Sequence, residues 1–242
     1  MRGRRKKKSQ KSAKNTKCSK FMSRKPIKEK LYLRGIPRDK VGMVEEAVDV
    51  GLMLAREHLS VNKAVTVKVV VIERADKIRG DVISMGRTSK RSVTIGLRKK
   101  FLYSREALRK ITGTVVHEYA HFIRLHSGRH NAKTVLGTLI EEGIAIYVQT
   151  VLAGPPEYLD IKRLNKKEVD LYWHKFSPAI NELSKNYPQI ERDDAYRTIG
   201  YRLGFSIVKK SMKSNPATTL SRLIRTPTKK LAVFAKQNYG NY

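Results

Sequence analysis

Residues 108–125 read LRKITGTVVHEYAHFIRL. Leu108, Ile111, Val115, Phe122 and Leu125 recur at helical spacing, which predicts an amphipathic helix. That helix places His117 and His121 at i and i+4, above one another on one face and one turn apart. Two imidazoles so placed reach a single tetrahedral ion, whereas spacings of three or five would splay them. Glu118 follows the first histidine, beside such an ion but off it, where it can take a proton from metal-bound water. Ser104 is the expected N-cap, with Glu106 in the first turn, and Ser127-Gly128 the expected stop. Gly113, one turn before His117, would admit another element closely. The bland alternative is two half-buried histidines beside a solvated glutamate.

The next helix, expected over residues 132–152, tips the balance towards a metal. A catalytic zinc site needs a third protein ligand and one open position. Glu141 and Glu142 stand together in an apolar stretch with Leu136, Leu139, Ile140, Ile144, Ile146 and Val148. An unpaired buried carboxylate is costly, so the pair needs a reason. Leu139, Ala145 and Ile146 neighbour Glu142 at helical spacing, which favours Glu142 as ligand and leaves Glu141 as a supporting or surface group. A metzincin extension would need Gly at 124 and His at 127; the chain has Arg124 and Ser127, so His126 and His130 read as loop residues rather than ligands.

Upstream, Val41, Val44, Ala47, Val48, Gly51, Leu52 and Ala55 predict an amphipathic helix from about Pro37 to Leu59. Residues 64–73 (AVTVKVVVIE) and 92–97 (SVTIGL) read as strands, Gly80–Ser84 as a shorter one, and the polar run 86–91 as a break. Downstream, helices are expected over 166–185, 193–212, 217–225 and 228–237. The order is helix, a few strands, then helices: an α+β fold with a small N-terminal β-sheet, an active-site helix and a helical C-terminal half.

Of 242 residues, 40% are hydrophobic, enough to bury a core. The single cysteine, Cys18, excludes an intrachain disulfide. The start lacks the apolar region of a secretory signal, and the apolar runs are too short to span a bilayer. A soluble, cytoplasmic protein is expected. The net charge is +31; residues 1–30 hold 14 basic residues and one acidic residue, and the remainder still carries +18. Residues 1–30 show no hydrophobic periodicity and read as a disordered tail ahead of one domain, 31–242. The tail is either a solvated extension or a tether to nucleic acid or another polyanion, with the basic body contributing. Arg4-Arg5-Lys6-Lys7-Lys8 would also suit a nuclear address. Nearly free of aromatics, the tail would contact phosphate rather than stack on bases.

Two segments, TVVHEYAH at 114–121 and LIEEGIAIY at 139–147, resemble the gluzincin peptidases, which pair HExxH with a glutamate, often in a Glu-Gly-x-Ala run, on the next helix. Gly200-Tyr201-Arg202-Leu203-Gly204 resembles a Gly-Tyr-x-x-Gly stretch of the YjaZ-like predicted zinc-dependent proteases. The resemblance implies a zincin-like fold holding one Zn2+ per chain on His117, His121 and Glu142, with Glu118 as the base. It also implies a peptide or protein substrate, and makes Tyr201 a candidate donor to the oxyanion; the competing role for Tyr201 is packing between Gly200 and Gly204. Tyr147 is a weaker candidate for the same role. In such folds an edge strand pairs with extended substrate, here expected to be 92–97. Two other classes stay open: a nucleic-acid-binding protein with a structural or degenerate zinc domain, and a zinc hydrolase of a non-peptide substrate.

Overall fold

Lys28–Arg34 (KEKLYLR) forms a strand, β1, that its basic composition hides. Leu31 and Leu33 pack on the core while Tyr32 and the flanking charges face out, the pattern of an edge strand kept apart from strangers by charge. The computed structural model describes residues 28–61, 63–71, 84–104, 106–156, 159–160, 165–186 and 194–240. The expected tail lies outside them except for residues 28–30, which enter β1; most of the expected strand at Gly80–Ser84 lies outside them too.

After a 3-10 turn at Arg38–Lys40, helix α1 (Val41–Leu59) buries Val44, Ala47, Val48, Gly51, Leu52, Ala55 and Leu59, the stripe that the periodicity predicts. It links β1 to β2 (Val65–Val71), its parallel neighbour, as a parallel pair requires. The remaining strands are β3 (Ser84–Thr88) and β4 (Ser92–Leu97). The sheet order is β1-β2-β4-β3, with β4 parallel to β2 and β3 antiparallel to β4. Val65, Val67 and Val69 of β2 and Val93, Ile95 and Leu97 of β4 are buried on the face that the helices cover. Two expectations fail here. The polar run 86–91 is not a break, because β3 extends through Thr88, and 92–97 is not an edge strand. β4 is paired on both sides, which leaves it no free main-chain groups for a substrate.

Helix α2 (Ala107–His126) starts later than Ser104 suggests: a 3-10 segment, Lys99–Tyr103, intervenes, and Ser104 gives a backbone carbonyl rather than a side-chain cap. Gly51 of α1 faces Val115 of α2, and Gly113 faces the Gln149 side chain of α3, so both glycines mark close approaches. α3 (Val135–Ala153), N-capped by the Thr134 hydroxyl, is the one helix among the described residues long and apolar enough to cross a membrane, and it lies mostly buried at the centre of the helical half. α4 (Lys166–Phe176) opens with a reciprocal Asn165–Glu168 capping box. It stops nine residues short of the expected end, because Pro178 cannot donate and a 3-10 turn takes over. α5 (Asp194–Ser214) runs against α3 so tightly that a Cβ on Gly143 would overlap the Gly204 backbone and one on Gly204 would overlap the Leu139 carbonyl. α6 (Leu220–Arg225) and α7 (Thr228–Tyr239) close the chain.

One buried ion pair ties these helices together. Arg124 on α2 is fully buried and meets both oxygens of Glu141 on α3, Nε at 2.6 Å and Nη2 at 2.8 Å. Nη1 donates to the carbonyls of Ile224 (3.0 Å) and Thr226 (2.9 Å), and the second Nη2 N–H is shared between the Arg129 carbonyl (3.1 Å) and the Thr228 hydroxyl (2.9 Å). Glu141 also accepts from the Asn131 N–H at 3.0 Å and lies against the Thr228 hydroxyl. Arg124→Met should therefore cost about 3–5 kcal/mol by stranding the carboxylate. Arg124→Met/Glu141→Leu should recover only part of that, since the Ile224 and Thr226 carbonyls lose the arginine donor, each worth about 1–3 kcal/mol. Urea unfolding of the three proteins measures both, and full recovery in the double variant would show that those carbonyls need no arginine.

Candidate metal centre

α2 and α3 meet at a point where apolar packing gives way to four polar groups. His117, Glu118 and His121 are each less than a tenth exposed, and Glu142 reaches them from the facing turn of α3. The His117 and His121 Nε2 atoms are 3.2 Å apart. Glu142 Oε2 lies 3.4 Å from His117 Nε2, and Oε1 lies 3.5 Å from His121 Nε2. A tetrahedral ion with bonds of about 2.0–2.1 Å sets its ligands about 3.3 Å apart. The three donor groups therefore converge at the separation a zinc ion demands, and their chemistry, two imidazoles and a carboxylate, is what zinc takes.

Glu118 is aimed into the same space from a different support. Its Oε1 is 4.0 Å from His117 Nε2, while Oε2 accepts a hydrogen bond of 2.6 Å from the Thr88 hydroxyl at the end of β3. Its neighbour Tyr119 points the other way, fully buried, and donates to the Lys63 carbonyl at 2.8 Å, which fixes the rotation of α2 against the α1–β2 connection.

Electrostatics make the three converging groups a proton trap. Burial works against a charged His121, but the Glu142 carboxylate outweighs it and pushes His121 up to about 9. Burial also opposes ionisation of Glu142, yet His121 and His117 hold it far below the usual carboxylate range. Glu141 is likewise held below its ordinary value against burial, by Arg124 first, then by Thr228 and the Asn131 N–H.

Residues 63–232 match the model of a family described as predicted Zn-dependent proteases, DUF2268. The chain belongs to that family. No curated protein matches the chain. The match runs from just before β2 into α7, and so takes in both helices of the centre, the edge strand β3 and the Arg124–Glu141 network. β1 and α1 precede it but share its core, since α1 packs along α2.

The other candidates of this predicted Zn-dependent protease fall outside the three-donor cluster. Tyr201, half-buried on α5, packs against Ile146, Leu159 and Phe205, and Ile146 is one turn beyond Glu142. Tyr147 stacks near Phe205, ring centroids 6.1 Å apart, and burial raises its phenol above the usual value. His126 spends Nδ1 on the Phe122 carbonyl at 2.9 Å. His130 comes closer than its loop position suggests, within reach of His121 and Glu141. Glu141 is already committed to Arg124, Asn131 and Thr228, so a metal on that second group would have to displace a buried guanidinium. Sequence reasoning missed Thr88 and Arg124. Arg124 had a usable signal, a lone cation in an apolar helix stretch facing an unexplained buried carboxylate; Thr88 had none.

The proton trap predicts a pH signature in the metal-free protein. A raised His121 contributes stability that is complete below its ordinary 6.5 and is lost as pH rises through about 9. A lowered Glu142 contributes above its ordinary 4.5 and is lost in strong acid. Glu142→Gln should therefore destabilise the chelator-treated protein most between those two ordinary values, with the gap to wild type closing above about pH 9. Urea unfolding of both proteins across this range tests it; a gap independent of pH would mean that the pair is not charged.

Proposed function

We propose that the chain is a gluzincin-type peptidase with a zincin-like fold, in which His117, His121 and Glu142 hold one Zn2+ and Glu118 is the general base. The observation that carries this reading is the convergence of three donor groups, with His117 and His121 Nε2 3.2 Å apart, one Glu142 oxygen 3.4 Å from the first and the other 3.5 Å from the second, and Glu118 Oε1 beside them at 4.0 Å from His117 Nε2. A structural site would close the fourth position and need no carboxylate beside it. When bound, zinc supplies Lewis-acid polarisation of a carbonyl and makes water a usable nucleophile at neutral pH. Glu118 Oε1 takes the proton of the attacking water and passes it to the departing amine nitrogen, so the peptide bond breaks with protons balanced. Tyr201 is the proposed donor to the developing oxyanion. The substrate is an extended peptide lying along β3: among the described residues β3 pairs only with β4, and its last residue touches the base.

Metal content and hydrolysis of a labelled casein test this together. Wild type should carry one zinc per chain and His121→Ala should lose it. Glu118→Gln should keep zinc and lose hydrolysis by at least about 100-fold, and Tyr201→Phe should lower kcat more than it changes KM. Hydrolysis undiminished in Glu118→Gln would remove catalysis at this centre, and no zinc in wild type would remove the centre.

The partner class is proposed as nucleic acid, reached through phosphate. A groove of about 380 Å3 beside α4 and α5 is lined by Lys166, Lys209, Lys210 and Lys213, with Asp170 the acid among its lining residues. Such a cluster gains from displacing counterions on a phosphate backbone. Binding of a labelled DNA duplex should fall steeply with salt. Lys209→Glu/Lys213→Glu should flatten that slope by about 2, and deletion of residues 1–27, which spares β1, should weaken binding further. Salt-independent binding, or equal slopes in all three proteins, would overturn this partner.

A further inference from the structure

The catalytic proposal assigns Glu118 its chemistry but not the reason that it stays off the metal. A second carboxylate beside a His2Glu triangle is itself a good zinc ligand, and a fourth protein ligand would convert an open site into a closed one. Glu118 Oε1 is already only 4.0 Å from His117 Nε2. The geometry points to Thr88 as the positioning residue that holds Glu118 back. Its hydroxyl lies 2.6 Å from Oε2 and 3.0 Å from the Glu118 carbonyl, so its single proton goes to the closer carboxylate oxygen while the hydroxyl stays seated against the backbone of the same residue. With Oε2 engaged, Oε1 is the oxygen left towards the histidines, 4.0 Å from His117 Nε2.

Thr88 can do this because it is itself immobilised. It ends β3, paired with Val93 of β4, and the turn that follows is tied by Ser89. The Ser89 N–H donates to the Ser92 carbonyl at 2.8 Å, and its hydroxyl accepts from the Arg91 and Ser92 N–H groups at 3.2 and 3.0 Å. The holding group thus comes from the sheet, while the ligands come from α2 and α3. Rotation of Glu118 onto the metal would cost the Thr88 hydrogen bond to an ionised carboxylate, a stronger bond than one between neutral groups. Thr88 also lies on the strand proposed to receive substrate, so a peptide seated there and the base share one rigid support.

This inference rests on the metal reading and is tested by metal binding rather than turnover. Zinc affinity is measured by competition with a chromophoric chelator, and coordination by the visible spectrum of the Co2+-loaded protein. Thr88→Val should tighten zinc by about 10-fold and shift the Co2+ spectrum towards a closed tetrahedral site. Thr88→Ser should restore both values, and Thr88→Val/Glu118→Ala should lose the gain, showing that the extra ligand is Glu118. Loss of a supporting hydrogen bond ordinarily weakens a metal site, so tightening distinguishes release of a ligand from general damage. Wild-type affinity and spectrum in Thr88→Val, or weaker binding, would overturn the role of Thr88 while leaving the metal centre intact; a wild type that binds neither ion would remove the centre and this role with it.

Discussion

The relative rotation of α2 and α3 is the constraint on which the site depends, and the Arg124–Glu141 pair sets it. Arg124 lies three residues after His121, and Glu141 is the residue before Glu142. A bidentate guanidinium–carboxylate contact admits one orientation of each partner. Fixing Arg124 to Glu141 on one turn therefore fixes the direction of His121 and Glu142 on the adjoining turn. An apolar contact at the same place would tolerate slippage of a few tenths of an ångström, which a site with donor separations of 3.2–3.5 Å would register. Buried ion pairs contribute little net stability against apolar replacements. Here the surplus donors are absorbed at the end of α6 and the start of α7, so the same arginine caps the Ile224 and Thr226 carbonyls and holds the C-terminal helices to the centre.

The pair also settles the charge of the site. Glu118, Glu141 and Glu142 crowd into one buried region. Arg124 neutralises Glu141 and removes it as a competing ligand. Glu118 and Glu142 then remain as two negative charges beside two imidazoles, which balances one dication. In the metal-free protein the trapped proton on His121 supplies half of that charge. A metal held by His121 would have to expel this proton, so the proposed centre would exchange one cation for another rather than fill an indifferent cavity.

The helices were legible because each buries a stripe long enough to show its period. α1 and α2 are the clearest cases, and the glycines at 113, 200 and 204 marked close contacts that the structure contains. The edges of the sheet were not legible. β1 alternates at only Leu31 and Leu33 within a charged stretch, and β3 (SMGRT) has one large apolar residue, Met85, so neither shows a sustained apolar alternation. β4, which does carry one, is for that reason the buried inner strand and could not be the edge. Of the proposed ligands, the His117–His121 pair was legible from helix spacing, which is local, and Glu142 from its place in an apolar stretch of the next helix. The partner of Glu141 and the holder of Glu118 were not, because Arg124 lies 17 residues away and Thr88 lies 30 residues away, joined only by the fold.

The contrast between the centre and the rest of the chain bears on how both work. A net charge of +31 repels a free dication and attracts phosphate at long range. Ionic screening confines that field to about 8–10 Å under ordinary salt. Capture of a cation at the proposed centre would then be a short-range event, governed by Glu118 and Glu142 themselves. The proposed polyanion contact would lie on the surface, where Lys209, Lys210 and Lys213 line one groove along α5. The Arg124 guanidinium stays buried on Glu141 while the groove lysines lie on the surface, so the centre and the proposed polyanion contact would draw on separate charges.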